Sequence, residues 1–157
     1  MNYDTIEVHL SSEVASVSMN RPEVMNALNT QMRAEITDAY KRLAPQARVI
    51  VLTGRGKAFC SGQDLGDRAN AAQLDLERTL RDEYEPMLRA IIECRIPTIT
   101  ALNGAAAGAG ANLALASDVV IASKSSYFMQ AFTKIGLIPD AGGTYLMPRT
   151  MGLAKAM

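Results

Sequence analysis

Apolar and polar positions alternate at the start of the chain. Ile6, Val8 and Leu10 are separated by polar residues, and so are Ala15, Val17 and Met19. A period of two marks a half-buried strand, so these positions predict a strand pair closed by the polar turn Ser11-Ser12-Glu13. Asn20-Arg21-Pro22 ends the second strand, because proline has no N–H to give a ladder. The period then changes. Met32, Ile36, Ala39, Tyr40 and Leu43 recur at helical spacing, which predicts an amphipathic helix from about Thr30 to Leu43, stopped by Pro45. Val49-Ile50-Val51-Leu52 is an unbroken apolar run and predicts a strand covered on both faces. A helix leading into a buried strand suggests a crossover connection.

Residues 54–72 read as loop, with Gly54, Gly56, Gly62 and Gly66. Helical periodicity returns from about Gln73 to Cys94, placing Leu76, Leu80, Tyr84, Met87 or Leu88, and Ile91 on one face. Pro86 predicts a kink or break within it. Thr98 to Leu102 predicts a strand, Asn112 to Ala116 a helix and Asp118 to Ala122 another buried strand. Tyr127-Phe128-Met129 predicts a short strand, Gly136 to Gly143 a loop, and a last helix begins near Thr144. Strands alternating with helices place the chain in the α/β class.

Composition narrows the functional classes. The 157 residues carry 16 Lys plus Arg and 16 Asp plus Glu, with 48% hydrophobic and 20% charged positions. That balance excludes a disordered, collagenous or coiled-coil chain. Zero net charge gives no general attraction to nucleic acid or an acidic membrane. The charge is uneven, since residues 64–93 hold four bases and eight acids. This middle stretch reads as an exposed helical segment. Two cysteines, Cys60 and Cys94, are too few for a disulfide scaffold, which favours a reducing cytoplasm. The start of the chain carries Asp4 and Glu7 and has no apolar core, so no signal peptide is expected. Residues 96–117 hold no charge and are long enough to span a membrane. However, Ala and Gly fill 11 of the 16 positions from Ala101 to Ala116 and bury little apolar area. Such a run implies that backbone approaches something closely.

Several kinds of chemistry have no residues to carry them. His9 is the only histidine and falls on a solvent-facing strand position, which removes Ser-His-Asp and Cys-His arrangements. No Cys or His cluster has zinc spacing, so no metal site is expected. Gly108-x-Gly110 is followed by Leu113 where a dinucleotide fingerprint needs a third glycine. Cys60 has no cationic neighbour in sequence and reads as a buried, inert thiol. Three segments remain. Gly54 to Leu65 follows a buried strand, Asn103 to Asn112 runs from a strand into a helix N-terminus, and Gly136 to Thr144 surrounds one acid. Two of them put free N–H groups at strand ends, and two convergent N–H groups are what an oxyanion needs. Asp140 stands among Leu137, Ile138, Pro139 and Ala141. Poor solvation there would raise its pKa and suit it to carry protons near neutrality. Capping the helix near Thr144 is the competing role, and the residues alone leave both open.

In this order, these segments resemble the crotonase (enoyl-CoA hydratase/isomerase) superfamily over essentially the whole chain. Asn20-Arg21-Pro22 with Asn26-Ala27-Leu28-Asn29 is similar to the family's first coenzyme A-binding segment. Lys57 to Leu65 resembles its first oxyanion loop, and Asn103 to Asp118 its second oxyanion loop and helix. The resemblance implies a β-β-α spiral fold that takes acyl-CoA thioesters as substrates, with no prosthetic group. It implies that the backbone N–H groups of Gln63 and Ala109 hold the thioester oxygen. It further implies that Val24, Ala27, Ser61, Asp64 and Leu65 contact coenzyme A or substrate, and that Asp140 is catalytic. Where family hydratases carry two glutamates, this chain has Asn112 and Phe132. Asp140 falls where some isomerases carry a carboxylate. One carboxylate suffices to move a proton between two carbons, whereas adding water normally wants two. The resemblance therefore implies an isomerase that shifts a double bond or opens a ring epoxide, in phenylacetate or fatty-acid degradation. A hydratase and a non-catalytic acyl-CoA-binding subunit are the alternatives. It also implies a homotrimer or dimer of trimers. Residues 1–157 are expected to be the N-terminal spiral core of one domain, because the helical pattern at Leu153 to Met157 has no stop signal and family members extend into C-terminal trimerisation helices.

Overall fold

The computed structural model describes residues 2–66 and 75–157. The expected helix start at Gln73 and the loop positions 67–72 lie outside the described residues. Strands β1 (Ile6–Ser11) and β2 (Val14–Met19) form the antiparallel pair that the alternation predicts. Ser12 and Glu13 join them with φ of 48° and 64°. Two left-handed residues give a turn whose twist matches that of the strands. His9 is exposed, as expected, and so is Leu10, which lies near the hairpin tip of an edge strand. Helix α1 (Thr30–Leu43) starts where Asn29 accepts a hydrogen bond from the Met32 amide at 2.8 Å.

From here the chain repeats one unit. β3 (Val49–Gly54), β5 (Thr98–Leu102) and β7 (Val119–Ala122) lie side by side and parallel in the large sheet, in the order β1-β2-β3-β5-β7. Each continues into a very short strand, β4 (Ala58–Cys60), β6 (Ala105–Ala107) and β8 (Phe128–Met129). These pair in parallel as a second sheet, β4-β6-β8. A helical segment follows each pair, which makes three β-β-α turns of a spiral. The first is α2 (Leu76–Thr79), a π turn over Leu80–Tyr84 and α3 (Glu85–Ile92). The second is α4 (Ala109–Leu115), and the third is α5 (Gly143–Met151) followed by α6 (Leu153–Ala156). The break expected at Pro86 takes the form of the π turn, which releases the carbonyls that a proline ring would crowd.

Four expectations change. The 54–72 stretch contains β4, and the Gly/Ala run contains β6; three-residue strands have no periodicity to read. β3 buries Ile50 and Leu52 completely but leaves Val49 and Val51 half-covered, so only one of its faces meets the core. β7 is exposed: Ile121 retains 62% of its accessible surface, because this strand has a neighbour on one side only and no described helix covers it. Leu76 is also exposed, while Tyr84, Met87 and Ile91 carry the buried face of that segment. Among the described residues no helix is long and apolar enough to cross a membrane.

The small residues let the β4 segment meet β6 and α4 backbone to backbone. A methyl group on Gly110 would come within 2.5 Å of the Cys60 carbonyl oxygen and 2.7 Å of its Sγ. One on Gly104 would overlap the Lys57 carbonyl. Asn26 and Asn103 lock the same corner. Asn26 Nδ2 donates to the carbonyls of Arg55, Ala58 and Phe59 at 2.9, 3.0 and 3.1 Å, and Asn103 Nδ2 donates to Gly56 and Ala58 at 3.1 and 3.3 Å. Under them lies one core, which includes Val17, Leu28, Met32, Ile36, Leu52, Phe59, Met87 and Leu113. Gly104→Ala should destabilise the fold by about 3 kcal/mol, since the opposing group is backbone and cannot rotate away. Gly136→Ala meets open space and should cost only about 1 kcal/mol, for its φ of 72°. Urea unfolding of the two variants tests that difference.

Candidate active site

The loop after β4 runs beside the segment that leads into α1. Leu28 and Gln63 form an isolated parallel bridge, made by Leu28 N–H to Gly62 O at 2.8 Å and Asp64 N–H to Leu28 O at 3.1 Å. A parallel bridge of this kind uses the amides on either side of Gln63 and turns the N–H of Gln63 itself to the opposite side. The second loop lies beside Gly62. A methyl group on Gly62 would stand 3.4 Å from the Ala109 nitrogen and 2.8 Å from the Ala107 carbonyl oxygen. Ala109 opens α4, where first-turn amides have no intrahelical acceptor. The structure thus brings the Gln63 and Ala109 loops together, as expected from the sequence.

The other expected contact residues gather along the same edge with differing exposure. Val24 ends a 3-10 turn (Pro22–Val24) and is exposed, and its carbonyl accepts from Ser61 Oγ at 3.3 Å. Ala27 is buried, and its carbonyl accepts from Arg21 Nη1 at 2.8 Å. The Asp64 carboxylate is engaged, because it pairs with Arg21 at 2.6 Å and caps the Gly66 amide at 2.8 Å. Leu65 is 69% exposed and free to meet an apolar group.

Behind Gln63 stands a network that the periodicity did not signal. Arg33 is 1% exposed, although it carries a full charge. It bonds Glu83 at 2.5 Å, the Leu28 carbonyl at 2.6 Å and Gln63 Oε1 at 3.2 Å, and its guanidinium lies 4.8 Å from the Tyr84 ring centroid. Tyr84 Oη donates to the same Gln63 Oε1 at 2.5 Å. Burial pushes the Tyr84 phenol pKa up, Arg33 lowers it, and the charges of Cys60 and Asp140 raise it. Arg33 lies three positions before Ile36 and seven before Tyr40, on the apolar face of α1. A lone cation on such a face was the available signal.

Asp140 is half-buried, with its Oδ1 shielded from solvent. The N-cap of α5 is Gly142, two residues past Asp140. It lines a cavity of about 730 Å³ with Leu80, Tyr84, Leu88, Ile92 and Tyr145. Two further acids line the same cavity, Glu85 and Glu93, and both bond Arg89, at 2.8 and 2.7 Å. Asn112 is fully buried and Phe132 nearly so. Among the described residues no group of three His, Cys, Asp or Glu could hold a metal ion.

The β-β-α spiral with two loops meeting at its small sheet has counterparts among known proteins. A family model described as enoyl-CoA hydratase/isomerase matches residues 9–157. The chain belongs to the enoyl-CoA hydratase/isomerase family, in the crotonase superfamily. Along its whole length it is 62% identical to a Rhodobacter capsulatus protein named probable enoyl-CoA hydratase. Over 95% of its length it is 44% identical to the 1,2-epoxyphenylacetyl-CoA isomerase of Escherichia coli. An enoyl-CoA hydratase structure from Polaromonas superposes on 96% of the chain with a TM-score of 0.86 at 31% identity. The chain spans 61%, 59% and 60% of these three proteins. The expected α/β crotonase fold is therefore the fold of this member.

Two outcomes follow from the burial pattern. Arg33→Met should cost about 2 kcal/mol, because it removes the charged donor to the Leu28 carbonyl and Gln63 Oε1, each of which keeps one neutral donor, while Glu83 can still turn to water; chemical denaturation measures it. Burial pushes the Cys60 thiol up to about 12 from 9.0. In the native protein one thiol, that of the half-buried Cys94, should react with an aromatic disulfide reagent at pH 8. The folded pKa lies above the unfolded one, so the contribution of Cys60 to stability is intact below pH 9.0 and is lost as pH rises toward about 12.

Proposed function

We propose that the protein is an acyl-CoA isomerase in which Asp140 moves a proton on a thioester whose oxygen is held by the N–H groups of Gln63 and Ala109. The supporting observation is the company of Asp140. It lines the 730 Å³ cavity beside the apolar side chains of Leu80, Leu88 and Ile92, and its Oδ1 is shielded from water. The Asp140 carboxylate removes a proton from a carbon conjugated to the thioester. The electron pair moves onto the carbonyl oxygen, and the same carboxylic acid returns the proton at another carbon as the pair moves back. Preorganised donors at such an oxygen are worth about 3 kcal/mol each in barrier lowering.

Asn112 and Phe132 stand at the positions that carry glutamates in family hydratases. Neither can take up or release a proton, which supports isomerisation over water addition. In this reading the acyl group enters the cavity beside Leu80, Leu88 and Tyr145. Val24, Ala27, Ser61 and Leu65 border the coenzyme A, with Asp64 and Arg21 fixing the loop that presents them. The enzyme would work in the cytoplasm as a homotrimer, in phenylacetate or fatty-acid degradation. A second reading is an enoyl-CoA hydratase, favoured by the name of the R. capsulatus relative.

Asp140→Asn keeps the shape of the site and removes the proton carrier. In the whole protein it should lower kcat for double-bond migration in a 3-enoyl-CoA by about 10²- to 10⁴-fold and leave acyl-CoA affinity nearly unchanged. Undiminished turnover sinks the proposal. Hydration of a 2-enoyl-CoA at a rate matching isomerisation would favour the second reading.

A further inference from the structure

Asn112 lies on α4 one turn after Ala109 and is 0% exposed. Both ends of its side-chain amide are used. Nδ2 donates to the backbone carbonyl of Asp140 at 2.7 Å, and Oδ1 accepts from Gln130 Nε2 at 2.7 Å. The fit is tight, since a methyl group on Gly143 would come within 2.6 Å of Asn112 Nδ2. The Asp140 carbonyl thus accepts twice, from Asn112 and from the Gly143 amide at 2.8 Å.

The held segment has a conformation it would not keep unaided. Ala141, the next residue, has φ 45°, and Gly142 follows at 79°. A residue with a Cβ takes a left-handed φ only where its surroundings hold it there. The Asn112 side chain bonds the Asp140 main chain directly before this turn. From the Asp140 Cα outward, only two side-chain torsions separate that fixed carbonyl from the carboxylate.

We infer that Asn112 is a positioning residue that fixes the Asp140 carboxylate relative to the first-turn amide of α4. This rests on the reading of Asp140 as the proton carrier. The position that supplies an acid in family hydratases supplies a clamp here. Its neutral amide sets the distance between the group that moves the proton and the amide that meets the charge, because both are referred to one short rigid helix. Releasing the clamp lets Ala141 relax toward negative φ and displaces the carboxylate, and a displacement of about 1 Å can cost roughly 10²-fold in rate. The binding edge at Val24 and Ser61 is separate from this clamp, so affinity for the coenzyme A ester is unaffected.

The test compares Asn112→Ala, Asp140→Asn and the double variant in the whole protein, with 3-hexenoyl-CoA as substrate. Asn112→Ala should lower kcat by about 30- to 100-fold and keep KM within about threefold. The double variant should be no slower than Asp140→Asn alone, because a clamp has nothing left to position once the carboxylate is gone. Asn112→Leu, which keeps four side-chain heavy atoms and removes both polar ones, should show the same split and serves should the alanine variant not fold. An unchanged kcat in either Asn112 variant overturns the inference, and so does a double variant whose loss is the product of the single losses. If Asp140→Asn loses turnover while Asn112→Ala does not, this inference alone fails. If Asp140→Asn keeps its turnover, the isomerase reading fails and this inference falls with it.

Discussion

Backbone lies directly on backbone where residues 57–62 meet residues 104–110, and the rest of the molecule is arranged around that contact. Gly104 sits against the Lys57 carbonyl, Gly110 against Cys60 and Gly62 against Ala107 and Ala109. Side chains at these positions would hold the β4 segment away from β6 and α4. Without them, β4 and β6 pair, and the strand-to-helix turn at Gly108 brings the first amide of α4 beside the Gln63 loop. The Leu28 bridge then decides which way the Gln63 amide faces. The meeting of these two loops is thus a consequence of small residues and one short ladder, with no charged side chain among them.

Charge enters behind this arrangement. Arg33 is buried among acceptors from Leu28, from the Gln63 loop and from the π turn, and through Gln63 Oε1 it shares an anchor with Tyr84. A buried cation of this kind contributes little net stability, but it fixes a register because it ties Leu28, Gln63 and Glu83 to one planar group. Neutrality of the whole chain is therefore consistent with a polar site, since the charges that matter are paired locally. The acid of the site is handled differently. Its main chain is held by Asn112, and its side chain lines the cavity, so in the proposed reading rigidity and chemistry come from separate atoms of one residue.

Much of this was legible in the sequence wherever a physical signal repeats. The alternation at Ile6 to Met19, the helix at Thr30 to Leu43 and the run at Val49 to Leu52 each appear at the expected place. The small residues announced a close approach, and the loops that follow from it met as expected. The short strands β4 and β6 were illegible because three residues of Ala, Phe and Cys carry no period. β7 was misjudged because Val119, Val120 and Ile121 are apolar irrespective of whether anything covers them. Asn112 was recognised as a missing acid, whereas its role as a clamp depends on Asp140 and Gln130, 28 and 18 residues away, and no local pattern encodes such pairings. Family resemblance filled part of that gap, since it carried the spiral topology that periodicity alone could not.

The central claim is that one carboxylate carries one proton between two carbons of a thioester whose oxygen is held by two amides. Proton NMR of 3-hexenoyl-CoA turned over by the whole protein in deuterated water tests it most directly. The account predicts migration of the double bond to the α,β position, with deuterium entering at the α or γ carbon and no oxygen added. Accumulation of a 3-hydroxyacyl-CoA without deuterium wash-in at the γ carbon would contradict it.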